Sequence, residues 1–177
     1  GSVNRRCNDF QILNLHGQIL RSYAVHAIGD PNSRFGKLDT FGAMGFDYIE
    51  LAMDPPEAHH EKLQAQSEAI QEALAYHQMG LVCHLPTFVS TADLTASIRR
   101  ASRHEIRASI EMAARLGARR AVLHPSYMSG MGRNAPALYQ GYARASLGEA
   151  VRCAAQVGID LCLENLFPPL TPFGSTD

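Results

Sequence analysis

From Tyr23 onward, short apolar runs alternate with longer amphipathic stretches, and Gly or Pro punctuates each pair. That alternation predicts repeated βα units around a parallel sheet. Five apolar runs predict strands: Tyr23 to Ile28, Phe46 to Ala52, Leu81 to Leu85, Arg119 to His124 and Ile159 to Leu163. Between the second and third, Asp54, Pro55 and Glu57 read as an N-cap, a first-turn proline and an early acid. Leu63, Ile70, Leu74 and His77 then recur at helical spacing up to Gly80. The next helix is predicted from Leu94 or Ser97 to Leu116, with Ile106, Ile110 and Ala113 on one face and Arg99, Arg103 and Arg107 on another. On it Glu111 and Arg115 stand four apart as a surface pair. A helix from Pro136 to Val157 turns Leu138, Tyr142, Ala145, Val151 and Ala154 inward, and a shorter one spans Phe35 to Met44.

Three strands follow a helix-ending signal, Met44-Gly45-Phe46, Met79-Gly80-Leu81 or Val157-Gly158-Ile159, in which glycine is expected to take the left-handed conformation after the last helical turn. Leu116-Gly117-Ala118 follows the same plan with two extra residues before the strand. A closed barrel and an open doubly wound sheet both satisfy this pattern. Dinucleotide binding does not fit, because Ile28-Gly29-Asp30-Pro31-Asn32 lacks the glycine spacing that lets a pyrophosphate approach.

Composition narrows the class only slightly. With 177 residues and 46% of them hydrophobic, one domain with a sizeable core is expected. Residues 1–22 read as a tag scar at Gly1 and Ser2 followed by an appendage without clear period, and residues 23–177 as the domain. Sixteen basic and 17 acidic residues leave a net charge of −1, which gives no general attraction to nucleic acid. No apolar run reaches the roughly 18 to 20 residues of a membrane span, so the chain is expected to be soluble and cytoplasmic. Cys7, Cys83, Cys153 and Cys162 form no CxxC pair and read as free thiols.

In parallel α/β folds, chemistry gathers at the carboxyl ends of the strands. Those ends carry His26, Glu50, His84, His124 and Glu164. Imidazole and carboxylate are good ligands for divalent zinc or manganese, and a site assembled from separate strands needs one such residue from each of several ends. His84, His124 and Glu164 meet that requirement. Taken singly, each histidine could equally hydrogen-bond a backbone carbonyl and Glu164 could cap a loop; taken together, they favour a metal.

The segments HLP after the third strand, LHPSY after the fourth and LEN after the fifth resemble, in order and spacing, the HxP, HPG and EN segments of endonuclease IV and the related sugar-phosphate isomerases and epimerases. AVHAIG and GFDYIEL at the first two strands are similar to that xylose-isomerase-like superfamily as well. The resemblance implies an α/β fold made of parallel (β/α) units of a TIM barrel. It also implies a metal site using His84, His124 and Glu164, with Glu164 and His124 as the catalytic candidates. In the nuclease branch the two histidines would bind a zinc cluster that Glu164 bridges. In the isomerase branch Glu164 would be the first carboxylate of a single-metal site and its proton-transfer base, while His84 and His124 would contact substrate. His26, Glu50 and Asn165 complete the implied substrate-binding set, with Asn165 orienting Glu164.

A full barrel of this kind takes about 250 residues and eight strands. The chain is therefore expected to be a barrel truncated after about five strands, with the remaining ligands of the site beyond Asp177. Open edges and an apolar inner face would then call for a homo-oligomer to cover them. The expected function is a divalent-metal-dependent isomerase or epimerase acting on a small sugar or sugar phosphate. The alternatives are a zinc-dependent abasic-site phosphodiesterase, which the near-neutral charge disfavours, and a non-catalytic oligomeric protein. The one basic-rich stretch, Arg99 to Arg120, reads mostly as a solvated helix face.

Overall fold

The computed structural model describes residues 38–128 and 130–164, together with the backbone of three short strands before them. In the N-terminal appendage, for which the sequence pattern predicts no element, β1 (Ile12–Leu13) and β2 (Ile19–Leu20) pair antiparallel. Five strands then form one parallel sheet: β3 (Ser22–Val25), β4 (Tyr48–Ala52), β5 (Gly80–His84), β6 (Arg120–Leu123) and β7 (Asp160–Leu163). Their order in the sheet is their order in the chain, β3-β4-β5-β6-β7. A doubly wound sheet reverses direction at a switch point. No reversal occurs across these strands, so the chain follows the course of a barrel wall, which the alternating sequence pattern alone left open.

Residues 38–43 form helix α1. The helix expected after Asp54 is two helices, α2 (His60–Ala65) and α3 (Ser67–Tyr76), parted at Gln66 with φ −113°. Asp54 caps neither. Its carboxylate accepts hydrogen bonds from the Thr87 N–H at 2.7 Å and the Thr87 hydroxyl at 3.2 Å, tying the loop after β4 to the loop after β5. Pro56 disfavours helical geometry at Pro55, so the helix cannot begin where the acidic and proline signal placed it. Helix α4 (Ala96–Arg115) buries Ile106, Ile110 and Ala113 as expected. Glu111 pairs with Arg107 at 3.6 Å, the opposite neighbour to the one anticipated.

Helix α5 (Pro136–Val157) matches its predicted bounds but is rotated from the predicted phase. It buries Tyr139, Ala143, Ser146, Ala150, Cys153 and Ala154, whereas Leu138 and Val151 are 51% and 55% exposed. The reason is close approach to α4: small side chains at the contact let the two helices touch, and the Tyr139 hydroxyl donates to the Tyr127 carbonyl. Glycines 45, 117 and 158 take the expected left-handed conformation, with φ of 75°, 87° and 75°. After α3 that role falls to Gln78 with φ 55°. Gly80 instead opens β5 against the Tyr48 ring, where an added Cβ would lie 2.2 Å from Cε1.

The sheet buries one face against the helices. Ile49, Leu51, Leu81, Cys83, Ala121 and Leu123 join Ile106, Ile110 and Ala113 of α4 and Ala150, Cys153 and Ala154 of α5 in a single cluster. Because strand side chains alternate, the register places Glu50, Val82, Arg120 and Asp160 in one row on the other face, with Ala52, His84, Val122 and Cys162 in the next. That inner face is mixed and charged, not the apolar surface expected. Cys83, Cys153 and Cys162 are free thiols as expected, the first two buried and Cys162 exposed on β7. Among the described residues no helix is long and apolar enough to cross a membrane.

Candidate metal centre

His84 is the last residue of β5, while His124 and Glu164 directly follow β6 and β7. The β6–β7 register sets Leu123 beside Leu163, and the Glu164 N–H donates to the Leu123 carbonyl at 3.0 Å. Three adjacent strands thus deliver three side chains to one rim. The Nε2 atoms of His84 and His124 each lie 3.0 Å from Oε2 of Glu164, and the two rings meet edge to face with centroids 4.9 Å apart. Both histidine side chains are largely buried, whereas that of Glu164 is 44% exposed and can meet a ligand.

The hydrogen bonds around His84 fix what its inner nitrogen can do. Nδ1 lies 3.0 Å from the Leu85 carbonyl, which only accepts, so Nδ1 carries the proton. In the neutral ring Nε2 is then a lone pair facing a carboxylate oxygen. Two acceptors at hydrogen-bond distance need a proton or a cation between them. A tetrahedral zinc site with ligands at about 2.0–2.1 Å separates those ligands by about 3.3 Å, close to the spacing seen. The donor set of two imidazoles and one carboxylate fits a divalent cation on chemistry as well as on distance. In the metal-free site partial burial pushes the Glu164 carboxyl upward, but once the rings are protonated the hydrogen bonds and charge of His84 and His124 outweigh it and hold the group below its ordinary value.

Glu50 shares the inner face with His84 but stands one pleat step deeper, beside Val82. It does not join the cluster. His26 and Asn165 lie outside the described residues.

Two aromatic residues that the sequence did not single out complete the rim. The Tyr127 hydroxyl lies 3.4 Å from Nδ1 of His124, and the Tyr127 ring stacks on Phe88 with centroids 6.2 Å apart and planes inclined by 13°. Phe88 is 85% exposed. Buried Ser126 holds this wall in place: its φ is 73° and its hydroxyl accepts from the Ala92 N–H at 3.2 Å, joining the loops after β5 and β6. An aromatic residue three positions past a strand-end histidine was the available signal; its pairing with Phe88 depends on loop packing.

The xylose isomerase-like TIM barrel model matches residues 39–177. The chain belongs to that family. No curated protein sequence is significantly similar to it. Among solved structures, this xylose isomerase-like chain is similar to a D-tagatose 3-epimerase-like protein at 23% identity, covering 71% of this chain and 47% of that one with a TM-score of 0.64. A D-allulose 3-epimerase from Methylomonas sp. in complex with D-allulose is 14% identical, with coverage of 88% and 54% and a TM-score of 0.67. A Thermus thermophilus protein soaked with zinc chloride is 23% identical, with coverage of 84% and 56% and a TM-score of 0.64. The chain therefore spans about half the length of these relatives. At these identities the likeness establishes the barrel fold.

Proposed function

We propose that this chain contributes His84, His124 and Glu164 to a divalent-metal centre that isomerises or epimerises a small sugar or sugar phosphate. The observation carrying the reading is one carboxylate oxygen flanked at 3.0 Å by two imidazole nitrogens, one of them left as a lone pair by the His84–Leu85 hydrogen bond. Zinc or manganese, held by those three side chains, would polarise a sugar carbonyl and its neighbouring hydroxyl. Epimerase neighbours in the same family support a sugar as substrate.

Within that reading Glu164 is the proton-transfer group. Its lowered pKa keeps it ionised at neutral pH, and its exposure lets a substrate carbon reach it. His84 and His124 position the carboxylate from two sides and offer polar contacts to substrate oxygens. Phe88 and Tyr127 form an apolar wall suited to the C–H face of a sugar ring. Glu50, one step deeper, shapes the floor of the pocket.

Phosphodiester cleavage in nucleic acid is less well supported. The arginines of α4 are largely engaged within the fold: Arg99 donates to the Asp93 and Leu94 carbonyls and covers the Tyr142 ring at 3.5 Å, Arg103 pairs with Glu149, and Arg107 with Glu111. A free basic face for a phosphate backbone is what that function needs.

The test is elemental analysis of the purified protein and its Glu164→Gln variant, beside solvent deuterium exchange at the carbon next to a ketose carbonyl. We expect Glu164→Gln to hold about one metal per chain fewer than the parent, as loss of a single-metal site produces, and to abolish the exchange. A parent without metal and without exchange would overturn the reading, as would metal-dependent nicking of abasic DNA. We also include in the proposal that a second copy covers the sheet edges at β3 and β7, and sedimentation showing only monomer at micromolar concentration would count against that element.

A further inference from the structure

His59 and His60 look like an exposed pair in the sequence, but their side chains are 25% and 15% exposed. They lead into α2, which packs on α4, and there they meet Glu105 from the middle of α4. One oxygen of Glu105, Oε2, lies 3.0 Å from Nε2 of His59 and 3.4 Å from Nε2 of His60. The two rings are 4.1 Å apart at their centroids, inclined by 41°. Glu105 is two-thirds buried, so neither the carboxylate nor the imidazoles have full access to water as a substitute partner.

The second nitrogen of His59, Nδ1, lies 3.6 Å from Oε2 of the largely exposed Glu61, near enough for attraction but beyond a hydrogen bond. Two imidazole nitrogens therefore converge on a single, partly buried carboxylate oxygen, with their rings 4.1 Å apart. Protonating both rings would set two like charges together over one carboxylate.

A divalent cation can take the place of those protons. It accepts the inner lone pairs of both rings and one oxygen of Glu105, and it leaves Nδ1–H of His59 directed at Glu61. A carboxylate behind a metal-bound imidazole is a recurring support for zinc ligands. The spacings of 3.0 and 3.4 Å bracket the roughly 3.3 Å between ligands of a tetrahedral zinc.

We infer that His59, His60 and Glu105 form a second cation site, of zinc type and structural in role, that clamps α2 to α4. It shares no residue with the strand-end centre and lies in the helical layer. It joins segments 46 residues apart, so its occupancy stabilises the packing of the outer layer instead of the chemistry at the rim.

The experiment uses the full chain carrying His84→Ala and His124→Ala, which disables the strand-end centre, stripped of metal by a chelator and titrated with zinc and with cobalt. We expect about one zinc per chain, visible tetrahedral cobalt bands, and a rise of several degrees in Tm, as a ligand of the folded state produces. Adding His60→Ala or Glu105→Gln should weaken zinc binding by at least about tenfold and remove the Tm rise, while circular dichroism of the metal-free protein stays the same. Zinc bound as tightly without His60 as with it would overturn the inference. So would no zinc at all in the strand-end double variant. Loss of metal from the parent's strand ends alone tests the proposed function and leaves this result separate.

Discussion

On the helix side of the sheet, Leu81, Cys83, Ala121 and Leu123 are buried beneath α4 and α5. On the other side their immediate neighbours, Val82, His84, Val122 and the adjoining His124, are less completely buried. The two sets are one residue apart along the same strands. Burial of apolar area supplies stability on the first side, while on the second the same pleat directs ligand groups into a shared rim. Substitutions at neighbouring positions should therefore act on different observables, and that separation can be broken experimentally.

The largest expected effect is on the helix side. Ile110 of α4 is fully buried in the main cluster. Ile110→Ala should lower unfolding free energy by about 2–5 kcal/mol, the range for a large-to-small core change. Urea denaturation measures it. Metal bound per folded molecule should not change, and a variant that loses metal while remaining folded would show that the two faces are coupled.

On the rim the ranking reverses. His124→Ala should reduce affinity at the strand-end centre by more than about a hundredfold, because even groups that merely support ligands are worth about 10–100-fold. The metal-free protein should unfold within about 1 kcal/mol of the parent, since no packed side chain is lost from the helix-side cluster. Calorimetric titration and denaturation of the same sample separate the two quantities. Equal losses in both would mean that His124 is structural.

How much of this division the sequence shows depends on how local each feature is. The strands and helices are legible because hydrophobic alternation, caps and turn glycines act within one element; Gly45, Gly117 and Gly158 behave as their local context requires. Gly80 does not, because its role depends on the Tyr48 ring of a different strand. The rotation of α5 is likewise set by α4, so Leu138 and Val151 could not be assigned from spacing alone. His84, His124 and Glu164 are legible at the rim because strand ends converge in any parallel barrel wall. The Phe88–Tyr127 wall and the meeting of His59, His60 and Glu105 arise from packing between distant segments, and no local pattern announces them.

A smaller effect distinguishes Cys83 from the rim it adjoins. Burial, with a lesser contribution from the charge of Glu50, pushes its thiol up to about 12 from an ordinary 9.0. The folded protein then keeps a proton that the unfolded chain releases above pH 9. The stability this contributes is present below pH 9 and is lost as the pH rises toward about 12. Comparing denaturation of the parent and Cys83→Ala between those limits cancels the tyrosines and lysines common to both. The parent should lose stability more steeply, and parallel curves would refute a sealed thiol. Alkylation at neutral pH should label the exposed Cys162 well before Cys83.

The smallest effect concerns Glu164 in the metal-free protein. Its carboxyl is lowered in the folded state, so protonation is easier after unfolding. Its contribution to stability is therefore present above the unfolded carboxylate value, near 4.3, and is lost as the pH falls through the lower folded value. Partial exposure keeps the gain modest, because water screens the attraction of His84 and His124. Glu164→Gln should leave a shallower acid limb in metal-free protein. Adding metal to the parent should shift the limb to lower pH, because a cation bound by the carboxylate competes with the proton. If metal leaves the parent's acid limb unmoved, Glu164 is a hydrogen-bond acceptor for two histidines and not a ligand, and the chemical role of the inner face would have to be sought at Glu50.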